Sequence, residues 1–352
     1  MRASSEGENI APYFDLTTGY MAYSKIITVK NQSVTVTYAV KDDDSDILTF
    51  SLTAEPEYGS ASVNSETGAV TYTPDIDDTG SDSLTGSVSD NKDGTASMAV
   101  PVTIISDSFI RVACIGDSLT FGSGGSRPYT DTLKEKLGGR YWVENFGLPA
   151  TTLMSDISYP YTQTAFYGNS LGFNPHIAVI MLGTNDTITK SVVSRPDAFR
   201  SDYEALINSY KSLPSKPSVF LVMPPQSKEK ATQKNLEKFV WPVVEQLVKE
   251  TDCKLILLHE AVSTDSDSYY DDYHFNDTGY ARFGALVYDA VSKLNPDELP
   301  ALQTNIHGWS EPGSAAEDSL GKIFALCLIP IGILAAGVVL GILLYRRKNK
   351  KT

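Results

Sequence analysis

The apolar run Phe109-Ile110-Arg111-Val112-Ala113-Cys114-Ile115 passes directly into the small, polar turn Gly116-Asp117-Ser118-Leu119-Thr120. This pattern is typical of a buried strand that ends at the edge of a parallel sheet, where open sheets carry their chemistry. The hydroxyl of Ser118 is therefore a candidate nucleophile. A serine at a strand-to-helix turn can equally well cap the helix, and the rest of the chain has to decide between the two roles.

Strand-like and helix-like segments alternate after this stretch. Further strands are predicted at residues 141–145, 177–182, 218–223 and 254–258. Between two of them, apolar side chains share one helical face at the spacing expected for a helix packed on a sheet: Phe199, Tyr203, Leu206, Ile207 and Tyr210. A last helix is predicted from Asp277, as its N-cap, to Leu294. The alternation predicts an α/β domain over residues 107–296, with a parallel sheet between two layers of helices.

Residues 9–106 show a different pattern. Short alternating runs such as Ile27-Thr28-Val29 are separated by turn-rich clusters, with no helical periodicity. We therefore expect an all-β sandwich. Three aspartates, Asp42, Asp44 and Asp46, precede one predicted strand, and carboxylates at one end of a sandwich could hold a structural calcium ion (Ca²⁺). A solvated acidic turn is the alternative.

The carboxyl-terminal part of the chain has the pattern of a membrane anchor. Residues 323–345 are apolar and carry no charge, enough for one transmembrane helix across about 30 Å of hydrocarbon. The basic tail 346–352 should remain cytoplasmic, which predicts a single-pass protein of the cell membrane with its catalytic domain extracellular. Residues 297–322 have no periodicity and are predicted to be a stalk linker.

The amino-terminal tail, residues 1–8, is polar and contains no apolar signal region. Because the domain that follows is of an extracellular type, we expect a signal segment upstream of this start. A tail-anchored protein with its bulk in the cytosol is the alternative.

Charge and composition exclude several function classes. The net charge of −14 argues against nucleic-acid binding, which relies on basic surfaces. The three cysteines are widely scattered and form no disulfide framework or metal-ligand cluster. The four histidines include no His-Glu-x-x-His pair. We therefore predict that the chemistry requires no cofactor and no catalytic metal.

Polar segments follow three of the predicted elements in the α/β part. Asn145-Phe146-Gly147 ends one strand, Gly183-Thr184-Asn185-Asp186 follows the next, and Asp271-Asp272-Tyr273-His274-Phe275-Asn276 stands just before the last helix. The carboxyl ends of parallel strands meet at one edge of a sheet. We therefore expect these segments to lie close to Ser118.

Together with the serine turn, these segments resemble the sequence blocks of the SGNH (GDSL-type) hydrolase family, in the order and spacing that family shows. The likeness covers residues 109–295 and is best to carbohydrate acetylesterases. It implies a flavodoxin-like three-layer α/β/α fold. The preceding domain resembles bacterial cadherin-like repeats through Asn9-Ile10-Ala11-Pro12 and the run Gly68-Ala69-Val70-Thr71-Tyr72-Thr73-Pro74, which implies a cadherin/Ig-like sandwich.

The resemblance implies a role for each site residue. Ser118 would attack an ester carbonyl, His274 would act as general base, and Asp271 would orient the imidazole. The oxyanion would be bound by the backbone N–H groups of Ser118 and Gly147 and by the side-chain amide of Asn185. A glycine suits position 147 because the missing Cβ permits close approach of the substrate.

Two positions depart from the family pattern. Asp272 stands where glycine is usual after the acid, and it could compete with Asp271 as the orienting carboxylate. Phe275 stands where proline usually follows the histidine. Asp117 and Thr184, beside the nucleophile and the amide, are candidates for secondary roles.

The leading functional hypothesis is a serine esterase that removes O-acetyl or other short acyl groups from carbohydrate. A lipase, lysophospholipase or thioesterase of the same fold is one alternative. An adhesin, in which the sandwich binds and the hydrolase domain is degenerate, is another. The nucleophile, base and oxyanion residues are all present, which favours an enzyme.

Overall fold

A computed structural model describes residues 9–14, 25–75, 79–157, 159–264, 267–294 and 299. These residues belong to one compact unit, Met1–Gln303. The predicted tail 1–8, membrane helix 323–345 and basic tail 346–352 lie outside the described residues, as does the stalk apart from Leu299. Within the described ranges, no helix combines the length and apolar character needed to cross a membrane.

The amino-terminal part is a β-sandwich, as the alternating pattern predicts. Its strands are β1 (Tyr13–Phe14), β2 (Ile26–Val29), β3 (Val34–Thr37), β4 (Val40–Lys41), β5 (Thr49–Ala54), β6 (Gly59–Val63), β7 (Ala69–Pro74), β8 (Gly80–Ser89) and β9 (Thr95–Ile105). One sheet has the order β2-β9-β8-β5 and the other β3-β7-β6, while β1 pairs with β4. Alternate residues of facing strands, such as Val36, Tyr72 and Val100, fill the space between the sheets.

The second part is built on a parallel sheet. Its strands are β10 (Ile110–Gly116), β11 (Tyr141–Gly147), β12 (Ile177–Met181), β13 (Ser218–Val222) and β14 (Lys254–Ile256). They lie in the order β11-β10-β12-β13-β14, and every pair is parallel. This is the flavodoxin-like order, and its switch point lies between β10 and β12, at the carboxyl ends of these two strands.

Helices cover both faces of this sheet, which confirms the three-layer prediction. They are α1 (Ser118–Phe121), α2 (Tyr129–Leu137), α3 (Ala165–Gly172), α4 (Thr184–Ile188), α5 (Ser191–Ser194), α6 (Pro196–Lys211), α7 (Lys230–Asn235), α8 (Trp241–Thr251), α9 (Leu258–Ala261) and α10 (Asp277–Val291). Side chains of α6 and α8 pack on one face of the sheet. Those of α2 and α10 pack on the other. The five residues predicted to share a face of α6 are its buried ones.

The last helix differs from the prediction at both ends. Its N-cap is Asn276, whose side chain accepts the N–H of Gly279, and not Asp277. It ends at Val291, before the predicted Leu294. Both residues 276 and 277 are good capping types, and the sequence pattern does not separate them.

Arg111 is a charged residue inside the otherwise apolar strand β10. Its guanidinium donates to the carbonyls of Phe173 and Asn174, which satisfies a group that would be costly to bury alone. Burial, together with the neighbouring Arg111, lowers the pKa of His176 to about 3. His176 is therefore a neutral structural residue.

Candidate active site

Ser118 lies where β10 passes into α1. Asp117 is the N-cap of this short helix: its Oδ1 accepts the N–H of Leu119 at 3.0 Å, and its carbonyl accepts the N–H groups of Thr120 and Phe121. Because Asp117 takes the capping role, the hydroxyl of Ser118 is not used for it. The structure thus gives the capping role to Asp117, and the role of Ser118 as nucleophile stays a prediction.

His274 joins Ser118 and Asp271 in one hydrogen-bonded chain. Its Nε2 lies 2.9 Å from the Ser118 Oγ, and its Nδ1 lies 2.8 Å from the Oδ2 of Asp271. A carboxylate can only accept, so Nδ1 carries the proton and Nε2 is free to take one from the serine. This is the geometry of a nucleophile, a general base and an orienting acid.

Asp271, and not Asp272, orients the imidazole. Burial opposes ionisation of Asp271, but hydrogen bonds from the His274 ring and from the backbone N–H groups of His274 and Tyr273 outweigh it, and the pKa of Asp271 is lowered. Asp272 contributes its backbone carbonyl, which accepts from the N–H of Lys228 and the hydroxyl of Ser227. The carboxylate that contacts the imidazole is therefore that of Asp271.

The loop that carries His274 is held on two sides. The N–H of Tyr270 donates to the His274 carbonyl at 2.8 Å. Gly124 packs against the same loop with φ of +92°, and a Cβ there would lie 2.8 Å from the Phe275 carbonyl oxygen. Tyr280 donates to the carbonyl of Ser123. The glycine-rich segment after α1 is therefore part of the support of the histidine.

The predicted oxyanion donors lie at the ends of neighbouring strands. In the sheet register, Gly116 of β10 pairs with Gly147 of β11 and with Met181 of β12, so Ser118, Gly147 and Asn185 follow at the same edge. The Nδ2 of Asn185 donates to the carbonyl oxygen of Thr151 at 2.9 Å. An amide has two N–H protons, and the second is available to an oxyanion.

Gly147 occupies its predicted place for a different reason. A Cβ at this position would lie 2.6 Å from the backbone carbon of Thr120, so glycine is needed for packing against α1 and not for approach of the substrate. Its N–H donates to the Oδ1 of Asn145 at 2.9 Å. The expected free oxyanion donor is therefore engaged within the protein. Asn145 also donates to the Thr120 carbonyl, and so fixes the end of β11 on α1.

Two buried carboxyl groups lie beside the site. Burial raises the pKa of Asp117 to about 7, against the hydrogen bond from the Leu119 N–H, and its Oδ2 has no partner among the described residues. Burial also raises the pKa of Asp186 to about 6, although it accepts the N–H groups of Leu153 and Met154. The positioning role of Asp186 was missed from the sequence, where its place directly after Asn185 was the available signal.

Thr184 and His259 lie outside the hydrogen-bonded chain of Ser118. Thr184 begins α4, and its buried Oγ1 has no hydrogen-bond partner within the described part of the chain. His259 packs on the ring of Trp241 at 4.5 Å, and burial lowers its pKa. Glu260, its nearest acid, is 3.9 Å away and exposed. Neither residue belongs to the hydrogen-bonded chain of Ser118.

The aspartates of the sandwich form a cluster that differs from the predicted one. Oxygens of Asp42, Asp46 and the buried Asp90 lie within 4.8 Å of one another, while Asp44 accepts the N–H of Ile10 at 2.6 Å. Asp42 and Asp46 each have one buried oxygen without a partner among the described residues, and Lys92 pairs with the other oxygen of Asp46. The acidic, oxygen-only set suits calcium, and calcium binding stays a prediction.

The chain matches two protein-family models. Residues 114–282 match the GDSL-like lipase/acylhydrolase family, and residues 18–103 match a bacterial Ig domain. The first range begins inside β10 and contains all of β11 to β14 and the residues of the hydrogen-bonded chain. The second covers most of the sandwich.

Three of the proteins to which the chain is similar are named esterases. An acetylxylan esterase of Xylanibacter ruminicola is 29% identical over 207 residues, which is 52% of this chain and 43% of that protein. The chain thus spans less than half the length of this relative. An aryl esterase of M. smegmatis is similar with a TM-score of 0.43 and 22% identity, covering 53% of this chain and 99% of the other. A carbohydrate acetylesterase of Sinorhizobium meliloti is similar with a TM-score of 0.39 and 22% identity, covering 52% and 98%.

Proposed function

We propose that this chain, whose residues 114–282 form a domain of the GDSL-like lipase/acylhydrolase family, is a serine esterase that removes short acyl groups, above all O-acetyl groups, from carbohydrate. The observation that carries the proposal is the chain of hydrogen bonds from Asp271 through His274 to Ser118, with 2.8 Å and 2.9 Å between the atoms joined. In this chain Ser118 can act as nucleophile, His274 as general base and Asp271 as the acid that orients the imidazole.

The proposed reaction proceeds through an acyl-enzyme. The Ser118 Oγ attacks the ester carbonyl and passes its proton to the Nε2 of His274, while Asp271 stabilises the imidazolium that forms. The Asn185 amide and the Ser118 backbone N–H would bind the oxyanion. The tetrahedral intermediate then expels the alcohol, which receives the proton from His274. Water, activated by the same histidine, attacks the acyl-enzyme and releases the carboxylic acid and free Ser118.

The substrate class is supported by likeness alone. The curated relative with 29% identity is named an acetylxylan esterase, so an O-acetylated polysaccharide is the first substrate to examine. We further propose that the enzyme acts at the cell surface. This rests on the apolar segment 323–345 and the basic residues after it.

Acetate release from a panel of O-acetylated polysaccharides, acetylated xylan included, tests the proposal. The Ser118→Ala variant should lose at least about a thousandfold in kcat. Ser123→Ala, in the same loop but outside the hydrogen-bonded chain, is the matched control and should retain activity. Hydrolysis that is unchanged in Ser118→Ala would overturn the mechanism. Faster cleavage of p-nitrophenyl decanoate than of p-nitrophenyl acetate would indicate a lipase. If no hydrolysis depended on Ser118, the adhesin would be favoured.

A further inference from the structure

Helix α3 of the hydrolase domain packs directly on strands β2 and β3 of the sandwich. Gly168 and Gly172 form the contact: a Cβ at Gly168 would lie 2.6 Å from the Thr35 carbonyl oxygen, and one at Gly172 would lie 2.5 Å from the Cβ of Val34. The helix backbone therefore lies directly against the backbone of Thr35 and the side chain of Val34, with no side chain of its own at the contact. Such close approach requires glycine at both positions.

Asn169, between these glycines, fastens the helix to β2. Its Oδ1 accepts the N–H of Ile27 at 2.7 Å, and its Nδ2 donates to the carbonyl of Lys25 at 2.9 Å. The residue is only 5% exposed, so both ends of the amide are used in a dry contact where an unpaired polar group is costly. The side chain of Lys25 adds an ion pair to Glu144 of β11 at 2.9 Å.

The apolar cores of the two parts are continuous at this contact. Ile27 and Ile105 of the sandwich belong to the same buried cluster as Phe146 and Phe173 of the hydrolase domain. Inter-domain contacts of low polarity and tight packing hold the parts in one arrangement. The sandwich is therefore joined to the enzyme by packing as well as by the chain.

The segment before α3 is hydrogen-bonded to the end of β11 and to the stretch that holds the Asn185 side chain. Tyr161 donates its hydroxyl to the Phe146 carbonyl at 2.7 Å, and thereby holds the peptide that contains the Gly147 N–H. Its N–H donates to the Thr152 carbonyl at 2.9 Å. The neighbouring Thr151 carbonyl is the one that accepts from the Asn185 amide.

We propose that the Ig-like sandwich is a positioning element of the esterase site, which acts through Asn169 and α3 to hold Tyr161 and the residues 151–152 and, with them, the Asn185 amide. The role in catalysis rests on the proposed function; the mechanical link does not. Asn169 is accordingly a positioning residue that touches neither the substrate nor Ser118.

Full-length Asn169→Ala and the isosteric Asn169→Asp test the proposal, with Val88→Ala as the matched control. Val88 is fully buried in the sandwich on β8, so its truncation destabilises that domain without touching α3. We expect Asn169→Ala to lower kcat about tenfold with KM little changed. The reason is that a displaced Asn185 amide would stabilise the transition state less, while binding of the substrate in the ground state would be unaffected. Asn169→Asp keeps the acceptor for Ile27 but turns a carboxylate oxygen toward the Lys25 carbonyl, so we expect a loss of similar size.

Backbone amide exchange of residues 151–157, 159 and 161 is the second readout, and it needs no activity. Exchange there should accelerate in both Asn169 variants and stay as in the wild type in Val88→Ala. Equal kcat and equal exchange in the Asn169 variants and the control, at equal loss of melting temperature, would overturn the proposal. If the wild type lacks Ser118-dependent esterase activity, the proposed function fails, and the exchange result alone decides the link between the domains.

Discussion

The carboxylate of Asp271 is hydrogen-bonded to the ring of His274, with 2.8 Å between Oδ2 and Nδ1. The other oxygen of the same carboxylate accepts the backbone N–H groups of Tyr273 and His274. The turn thus folds around Asp271 and leaves the next carboxylate without a place at the imidazole. Three residues of separation are enough for this arrangement because the carboxylate itself closes the turn.

Asp271→Asn should lower kcat by about a thousandfold, because an amide can present its N–H to Nδ1 and favour the wrong imidazole tautomer. Asp272→Asn is the matched control and should stay within about twofold of the wild type. Steady-state kinetics on p-nitrophenyl acetate measure both. Equal losses in the two variants would contradict the assignment.

Asn185→Ala should lower kcat about a hundredfold and leave KM little changed, because an oxyanion donor acts mainly in the transition state. Asn235→Ala is a suitable control: its amide donates to the Thr187 carbonyl, one turn along α4, at 3.4 Å. A rise in KM with kcat unchanged in Asn185→Ala would assign the amide to substrate binding instead.

Asp117→Asn should flatten the pH dependence of stability. Burial raises the pKa of Asp117 from 3.8 to about 7, so between these values the folded protein holds a proton that the unfolded chain has lost. The free energy of unfolding therefore falls as pH rises from about 4 to 7. Asp186, with its pKa raised to about 6, acts in the same direction.

Urea unfolding of wild type and Asp117→Asn at several pH values between 4 and 8 measures this effect. The variant should lose less stability across the range, because the asparagine stays neutral. Asp197→Asn, at an exposed position in the first turn of α6, serves as the control and should follow the wild type. Parallel curves for wild type and Asp117→Asn would show that Asp117 is not the group responsible.

Calcium binding by the sandwich cluster should stabilise the full chain by about 2.7 kcal/mol at a hundredfold excess over Kd. The melting temperature should rise accordingly. Asp42→Asn and Asp90→Asn should each abolish most of the shift, and Asp44→Asn should keep it. Differential scanning calorimetry with calcium, magnesium or EDTA separates these results. A shift that depends on Asp44 and not on Asp90 would favour the ligand set expected from sequence over the cluster in the structure.

The sheet was predictable from sequence because its signals are local, whereas the roles of Ser118, His274 and Asp271 came from the resemblance to the sequence blocks of a known family. Five apolar runs bounded by polar turns correspond to β10 to β14. Ser118 and His274 each stand in a short segment whose position at a strand or helix end is legible from the pattern alone. Sheet topology then brings distant segments together without any need to know side-chain conformations.

The remaining features depend on contacts that no local pattern records. The Gly147 N–H is engaged by Asn145 because of how β11 meets α1. Asp90 lies in the turn between β8 and β9, far along the chain from Asp42 and Asp46. The pairing of these strands places it beside the two aspartates. The docking of α3 on β2 and β3 likewise arises from two segments that are each unremarkable in sequence.

The direct contact of Gly172 with Val34 has a consequence for the history of the chain. A helix backbone that packs directly on the side chain of a strand residue tolerates neither a larger residue in the helix nor a shifted strand. Recombination that supplied a foreign sandwich would bring a mismatched surface to α3. Residues 25–36 and 165–172 should therefore be inherited together, and substitutions in one segment should be accompanied by substitutions in the other.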